Sequence, residues 1–551
     1  MKAENTSTLT AMDLDTSVFV FGGGWSGQRT AKELASLGYE VTLVDSEPNL
    51  DQITDKTGFL AHAAPKQGEL FKSAVQDISE IECMTGTSLL HFEGMPGRFR
   101  MKLMQGTDVV ERRAGAVVVA DDVQASPLFD AYGVSPSQRV VSQSQFEALA
   151  QGTGASDAIG SGKRVAFVVG FGQEGHPVVM RRVMQAVQKV QDQGGQAYVY
   201  VNNIKVAASG LERLYRDNRD SGAIYFKLQS PPQISPDGSS ISALDPVLNQ
   251  EVTLEPDLIV VEEALLASPE APKLAHLLRI DRGPWDFMQE NNVHRFPVRS
   301  NREGIFVVGG SRDVADLSLS WQDAANAAEE VHRFLGDGTA LAPESKAVVD
   351  KEKCCFCLTC YRCCPHGAIS WEDKPVISPL ACQACGICAS ECPQDAIQIM
   401  GFEDQGITSQ LDLSLSETAQ APSIVAFCCE NSSLEALKMA RLFGLNLPAG
   451  LKTIHVPCAG KVDLDYIFSA FLKGADGVLV LSCHPGNCKS VHGNTFAGWR
   501  VENVQRMLTN AGMDPSRLRF ATLASNMGHD MTKILNELET TLKDLGPSPL
   551  K

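Results

Sequence analysis

Unbroken apolar runs alternate with amphipathic stretches along most of the chain, the rhythm of strands buried on both faces and separated by helices. Ser17-Val-Phe-Val-Phe predicts a buried strand, Gly22-Gly-Gly24-Trp-Ser-Gly27 a tight turn, and a helical pattern continues through Leu37. Tyr39-Glu-Val-Thr-Leu-Val predicts the next strand, ending at Asp45. The pattern recurs from Arg164: an apolar strand, the turn Gly170-Phe-Gly172-Gln-Glu-Gly175, and a strand over 197–201 that ends in Asn202-Asn203. Gly304-Ile-Phe-Val-Val-Gly309-Gly310, followed by a helix of apolar and small residues from Trp321 to Phe334, resumes the first unit. Near the end, three strands each run out at a cysteine: Ser423-Ile-Val-Ala-Phe before Cys428-Cys429, Thr453-Ile-His-Val-Pro before Cys458, and Gly477-Val-Leu-Val-Leu-Ser before Cys483. Residues 151–163, rich in Gly, Ser and Ala, and the polar stretch 403–422 read as linkers.

Cysteine supplies the first chemistry. Ten of the sixteen cysteines fall between Cys354 and Cys392. Cys354, Cys357, Cys360 and Cys364-Pro365 form one C-x2-C-x2-C-x3-C-P run, and Cys382, Cys385, Cys388 and Cys392-Pro393 form another. This is the bacterial ferredoxin spelling, in which three thiolates wrap one [4Fe–4S] cluster and the fourth ligates the other. One cluster is therefore expected on Cys354, Cys357, Cys360 and Cys392, the other on Cys382, Cys385, Cys388 and Cys364. Zinc domains use pairs of C-x-x-C with a longer spacer and do not repeat a four-cysteine run ending in proline. Cys355 and Cys363 are expected to be packing residues. In the C-terminal part, ligands of α/β folds sit at the C-terminal ends of strands. That places Cys428 or Cys429, Cys458 and Cys483 on one rim, with Cys488 of Cys483-His-Pro-Gly-Asn-Cys488 in reach. Four thiolates are enough for a [2Fe–2S] centre; structural cysteines and zinc are the alternatives.

The first glycine turn stands in the context a dinucleotide fingerprint needs, between strand and helix, with an acid closing the next strand. Gly22, Gly24 and Gly27 are the expected phosphate turn, Asp45 the ribose acid, and Gly309 and Gly310 the returning contact. The second glycine turn lacks a matching acid and is expected to keep the fold without a nucleotide.

Composition narrows the setting. With 551 residues, 44% of them apolar, the chain can bury several cores. A net charge of −18 excludes nucleic acid as the main partner, because phosphate binding needs a basic footprint. Met1 to Thr16 carries no signal-peptide core and no stretch reaches membrane-spanning length, so a cytoplasmic location is expected, with any membrane link made through another subunit.

On these residues the chain resembles the HdrA family, the flavin subunit of heterodisulfide reductases, fused to an MvhD-like iron–sulfur domain, in a layout similar to Qmo (quinone-interacting oxidoreductase) subunits. The marks are the Gly22–Gly27 turn, Gly115-Ala-Val-Val-Val-Ala, the Gly304–Gly310 strand, both ferredoxin runs, and Gly474-Ala-Asp-Gly-Val-Leu-Val-Leu-Ser-Cys483-His-Pro-Gly-Asn-Cys488. The expected fold class is α/β. It comprises two interleaved Rossmann-like domains of the two-dinucleotide flavoprotein type (1–150 with a return at 301–340, and 151–300), a 2[4Fe–4S] ferredoxin domain (345–402), the 403–422 linker, and an MvhD-like [2Fe–2S] domain (423–551). The resemblance implies FAD in the first fold and electron transfer between flavin and clusters. It also implies partner redox subunits of the HdrB/HdrC or Qmo kind, a hydrogenase or a formate dehydrogenase. It assigns no residue to proton transfer. Three departures stand out. Asp45-Ser-Glu-Pro-Asn lacks the family's Gly-Gly loop, Ala120-Asp121-Asp122 replaces its Ala-Thr-Gly, and Cys429-Glu-Asn-Ser432 replaces a C-x-x-C. The first two lie where FAD would be contacted, so a flavin-free iron–sulfur wire is the alternative.

Overall fold

The computed structural model describes residues 9–51, 58–63, 75, 78–152, 158–247, 249–288, 297–343, 345–416 and 422–550. Its first sheet has five parallel strands in the order Ile305–Val307, Ala116–Val119, Val18–Phe21, Val41–Val44 and Ile81–Met84. The four residues of Val18–Phe21 are all buried, as a central parallel strand requires. Helices Trp25–Ser36 and Leu317–Leu335 pack together on one face. The antiparallel sheet Thr87–Met95, Arg98–Gln105 and Asp108–Ala114 covers the other. Period two is plain in its middle strand, where Phe99, Met101 and Leu103 are buried and Arg100 and Lys102 point outward.

The second sheet is also parallel, ordered Val140–Ser142, Leu258–Val261, Arg164–Val169, Gln196–Val201 and Ile224–Lys227. It begins and ends earlier than the 151–300 reading. Val140 already pairs with Ile259, and Ser142 and Gln145 form a capping box that starts helix Gln143–Gln151. At the other end, helix Ala271–Leu278 packs its Leu274 and Leu278 into the core of the first fold. The link between the folds is a pair of antiparallel strands, Gln124–Pro127 and Glu263–Leu266.

Two short antiparallel pairs, Ala347–Val349 with Ile397–Ile399 and Ile369–Trp371 with Pro375–Ile377, flank the cysteine runs. The last domain is a four-stranded parallel sheet in the order Leu451–Val456, Ile424–Cys429, Gly477–Ser482 and Leu518–Thr522, with an apolar core on each face. Within the stretch read as a linker, Asp404–Ser416 is a helix. Ile407 and Leu411, one turn apart, enter the core beside Ile454 and Ile467, so the segment is part of the domain.

The ferredoxin and C-terminal domains are joined by one buried cation. Arg500 donates from Nε and Nη2 to Glu391 Oε1 at 3.0 and 2.9 Å, and from Nη1 to the Gly460 and Val462 carbonyls at 2.9 and 2.7 Å. Removing one side of such a pair leaves a poorly solvated charge and unmatched carbonyls. We expect Arg500→Met to cost about 3–5 kcal/mol, read as a lower unfolding temperature of the C-terminal domain by calorimetry on anaerobically purified protein.

Candidate functional site

Backbone shape prepares the cysteine runs for their clusters. Phe356 and Ala384, each two residues past the first cysteine of a run, have φ of 58° and 53°. Leu358 and Gly386 follow at 58° and 82°, and Gly367 and Asp395, three past each fourth cysteine, at 57° and 47°. Left-handed backbone is costly for residues with a Cβ, and here it recurs at matched positions of both runs. It turns amides toward sulfur: Phe356 N donates to Cys354 Sγ at 3.4 Å, Ala384 N to Cys382 Sγ at 3.4 Å and Ala396 N to Cys392 Sγ at 3.3 Å.

The crossed ligand sets expected from spacing are grouped by their electrostatics. Cys360 feels Cys392, Cys357 and Cys354, while Cys388 feels Cys385, Cys364, the non-ligand Cys363 and Cys382. Burial pushes the Cys360 thiol up to about 11 and the Cys385 thiol up to about 12. Two features near Cys364 were not legible from the runs. Arg302 is buried, with its Cζ 5.4 Å from the Phe92 ring centroid, and both Arg302 and Arg279 act electrostatically on Cys364. Burial, then the nearby Arg279, lowers Arg302 to about 10, which leaves it a cation at neutral pH. Cations beside an anionic cluster favour its reduced form.

In the C-terminal domain the strand ends bring Cys429, Cys458, Cys483 and Cys488 together. Cys429 and Cys483 Sγ lie 3.9 Å apart. Hydrogen bonding from Cys429 and then Cys488 lowers Cys483, and Cys458 shares contacts with Cys429 and Cys488. Alternation along the strand separates the two cysteines left open by sequence: Cys429 faces this group, while Cys428 points to the opposite core among Ala436, Leu437 and Leu481. Gly493 is required here, because a Cβ would sit 2.3 Å from Cys458 Sγ.

This four-cysteine site abuts the Cys382 set. Ile387, between Cys385 and Cys388, meets Gly460, two residues past Cys458; a Cβ on that glycine would lie 2.6 Å from Ile387 Cγ1. Ser390 Oγ donates to Lys461 O at 2.8 Å, and Cys488 contributes to raising Cys385.

The dinucleotide position holds a cavity of about 530 Å³. Gly22, Gly24 and Asp45 line it, as the fingerprint predicts. The other glycines serve the chain itself. A Cβ on Gly27 would lie 1.6 Å from Gly22 O, one on Gly309 2.3 Å from Ser26 Oγ, and one on Gly310 2.4 Å from Val123 N. The cavity's charge is opposite to what a diphosphate needs: Asp45, Glu47, Asp121, Asp122 and Glu270 line it against one cation, Lys273, among the described residues. Asp45 Oδ2 accepts from Gly23 N at 2.6 Å. Asp122 accepts from Trp25 N at 2.7 Å, Ser26 N at 3.3 Å and Ser26 Oγ at 2.7 Å, which are the donors that open the helix. A diphosphate and this carboxylate require the same donors, so the residues as placed do not fit the diphosphate of FAD. The signal was present in sequence as Asp122 in the place of a glycine.

Two outcomes follow. Cys429→Ser should lower the chain's metal content, by about two irons if the C-terminal site takes a [2Fe–2S] group or by about one zinc if it takes that ion, whereas Cys428→Ser should leave the metal content unchanged; plasma emission analysis reads both. Asp121 is raised from 3.8 to about 7 by burial, then by Asp45, with smaller pushes from Asp122 and Glu270 against a Ser268 hydrogen bond. Between those values the folded chain holds a proton that the unfolded chain has released, so stability falls as pH rises through the window. Asp121→Asn should therefore be more stable than wild type by on the order of 1 kcal/mol near pH ~8, the gain fading toward pH ~4, as followed by thermal unfolding across pH.

Comparison with known proteins agrees with this layout. Residues 424–546 match the family model "Methyl-viologen-reducing hydrogenase, delta subunit", and residues 375–398 match "4Fe-4S binding domain". The HdrA-type polypeptide of the ferredoxin/F(420)H(2)-dependent CoB-CoM heterodisulfide reductase of Methanosarcina acetivorans is 30% identical over 468 residues, covering 80% of this chain and 59% of that one. The corresponding polypeptide of the ferredoxin:CoB-CoM heterodisulfide reductase of Methanosarcina mazei is 28% identical over the same shares. The chain thus spans 59% of the length of these relatives. The small iron–sulfur polypeptide of the F420-non-reducing hydrogenase of Archaeoglobus profundus is 33% identical over 126 residues, covering 23% of this chain and 92% of that one. Over 80% of its length the chain is similar to the HdrA-type polypeptides of heterodisulfide reductases, and it carries over residues 424–546 a domain of the hydrogenase delta-subunit family.

Proposed function

We propose that this chain is the electron-transfer subunit of a heterodisulfide-reductase-like or Qmo-like oxidoreductase complex, and that it works through three cysteine-bound centres. The observation that carries the reading is the adjacency of the three cysteine sets. Cys360 and Cys392 share one small core with Cys364, Cys382 and Cys388, and the set that holds Cys385 abuts Cys429, Cys458, Cys483 and Cys488 through Cys488. Iron–sulfur clusters supply one-electron oxidation and reduction when bound.

The chain's own residues order and insulate those positions. Arg302 and Arg279 place positive charge beside Cys364, and Lys346 Nζ donates to Cys382 O at 3.0 Å. Lys374 Nζ donates to Cys354 O at 2.6 Å. Arg500 and Glu391 hold the last two sites in register. Four thiolates in the C-terminal domain support a [2Fe–2S] centre there, with zinc as the alternative filling. Partner redox subunits complete the circuit: HdrB/HdrC-like or Qmo-like proteins, a hydrogenase or a formate dehydrogenase. The relatives carry heterodisulfide reductase and hydrogenase in their names. A cytoplasmic hetero-oligomer is the setting this implies. Among the described residues no helix is long and apolar enough to cross a membrane, so a membrane link runs through a partner.

The two-dinucleotide fold is of the flavoprotein type, and FAD is the cofactor the family reading gives it. A second reading, a flavin-free iron–sulfur wire, is favoured by one observation: the Asp122 carboxylate on the donors at the first glycine turn.

Metal and flavin analysis of anaerobically purified protein tests the proposal. About 10 irons per chain are expected, the sum of two [4Fe–4S] clusters and one [2Fe–2S] centre; about 8 irons with one zinc would reassign the C-terminal site. Little iron in freshly purified, folded protein would overturn the electron-transfer reading.

A further inference from the structure

Both glycine turns of the N-terminal half end against a carboxylate supplied by the chain itself. At the first turn the acid is Asp122, on Trp25 N, Ser26 N and Ser26 Oγ. At the second it is Glu262, 3% exposed, which accepts from Gly170 N at 2.5 Å, Phe171 N at 3.1 Å and Gly172 N at 2.6 Å, and from the Tyr132 hydroxyl.

The two acids hold equivalent places in their folds. Ala116–Val119 is the neighbour of the strand that leads into the first turn, and Leu258–Val261 is the neighbour of the strand that leads into the second. Asp122 follows the former and Glu262 the latter, each just before one of the two connecting strands. The surroundings are shaped around these side chains. Gly310 lets its backbone approach Asp122, where a Cβ would lie 2.7 Å from Asp122 Cα. Gly172 does the same for Glu262, since a Cβ there would lie 3.2 Å from Oε1.

The amides of such a turn and the following helix N-terminus form a seat for one anion. A carboxylate covalently tethered to the neighbouring strand occupies it at high effective concentration, and charge-assisted hydrogen bonds strengthen the hold. An incoming diphosphate would have to displace it in a cavity whose other acids, Asp45, Glu47, Asp121 and Glu270, repel the same charge.

We infer that Asp122 and Glu262 are resident anions that close both dinucleotide seats from within, so that the N-terminal half is a nucleotide-free scaffold carrying the ferredoxin and C-terminal domains. The inference rests on the flavin-free reading and leaves the iron–sulfur assignment independent.

The test uses the full chain, purified anaerobically, incubated with FAD or NADH, desalted, and assayed for flavin, iron and melting temperature. Wild type should retain less than ~0.1 FAD per chain, and neither FAD nor NADH should raise its melting temperature, since a ligand stabilises only what it binds. Asp122→Gly, which restores the family's glycine, should bind FAD roughly tenfold or more tightly than wild type by fluorescence quenching. Asp122→Asn keeps the side-chain volume and removes the charge; it should show a smaller gain in the same direction and provides the test if the glycine variant does not fold. Glu262→Gln should gain no flavin but should let NADH raise the melting temperature, and a folded Glu262→Gln chain that NADH leaves unshifted would remove Glu262 from the inference. Stoichiometric FAD in wild type, or a folded Asp122→Gly and Asp122→Asn pair with no gain, would overturn the inference. Iron measured in the same samples reports separately on the electron-transfer reading.

Discussion

Three thiolates from one tight loop and a fourth from its twin form the constraint on which the middle of this molecule depends. In the proposed ligand sets Cys364 goes with the second run and Cys392 with the first, so neither run would complete its set alone. The exchange pulls the two runs into one small core and demands left-handed backbone at residues as unsuited to it as Phe356, Leu358 and Asp395. Binding free energy from metal stabilises the folded state, and in this region it would add to the small apolar core of Ile369, Ile397 and Ile399. The neighbouring domains then grip what the cysteines have built: Arg302 and Asn301 from one side, Arg500 and the Ala459–Lys461 turn from the other.

A second constraint acts on the N-terminal half. A helix that begins at a glycine turn presents several unpaired amides, and something must accept from them. In a dinucleotide-binding fold the acceptor is the ligand's pyrophosphate. Here side chains accept instead, Asp122 from the amides that open the helix in one fold and Glu262 from the turn amides of Gly170, Phe171 and Gly172 in the other, which explains how a sequence can keep Gly22, Gly24 and Gly170 and their close packing while its first cavity fills with carboxylates. Keeping the shape of such a site and keeping its ligand are separate matters.

Much of this was readable from the chain because it is written in local spacing. The cysteine runs, the strand that ends at Cys483 and the Gly22–Gly27 turn each depend on neighbours within a few residues, and all lie where the spacing places them. What could not be read depends on contacts distant in sequence. The second fold starts at Val140 because of pairing with Ile259, far along the chain. Asp404–Ser416 looks like a polar linker because only Ile407, Leu411 and the partly buried Leu415 face a core, and the amphipathic signal is correspondingly faint. The choice of Cys429 over Cys428 follows from which face of the strand meets which core. Arg302 could not be associated with Cys364 without the fold that brings them together.

The antiparallel pair that joins the two Rossmann-like folds has a mechanical consequence. Gln124–Pro127 leaves the first sheet directly after Asp122, and Glu263–Leu266 leaves the second directly after Glu262. Each anchored acid therefore sits at the root of one strand of the pair that carries the chain between the folds. A rotation of one fold against the other would bend the chain at these two roots, and the hydrogen bonds made by the acids resist that bend. The pair behaves less as a hinge than as a pinned joint, which would hold the second fold at a fixed angle to the first.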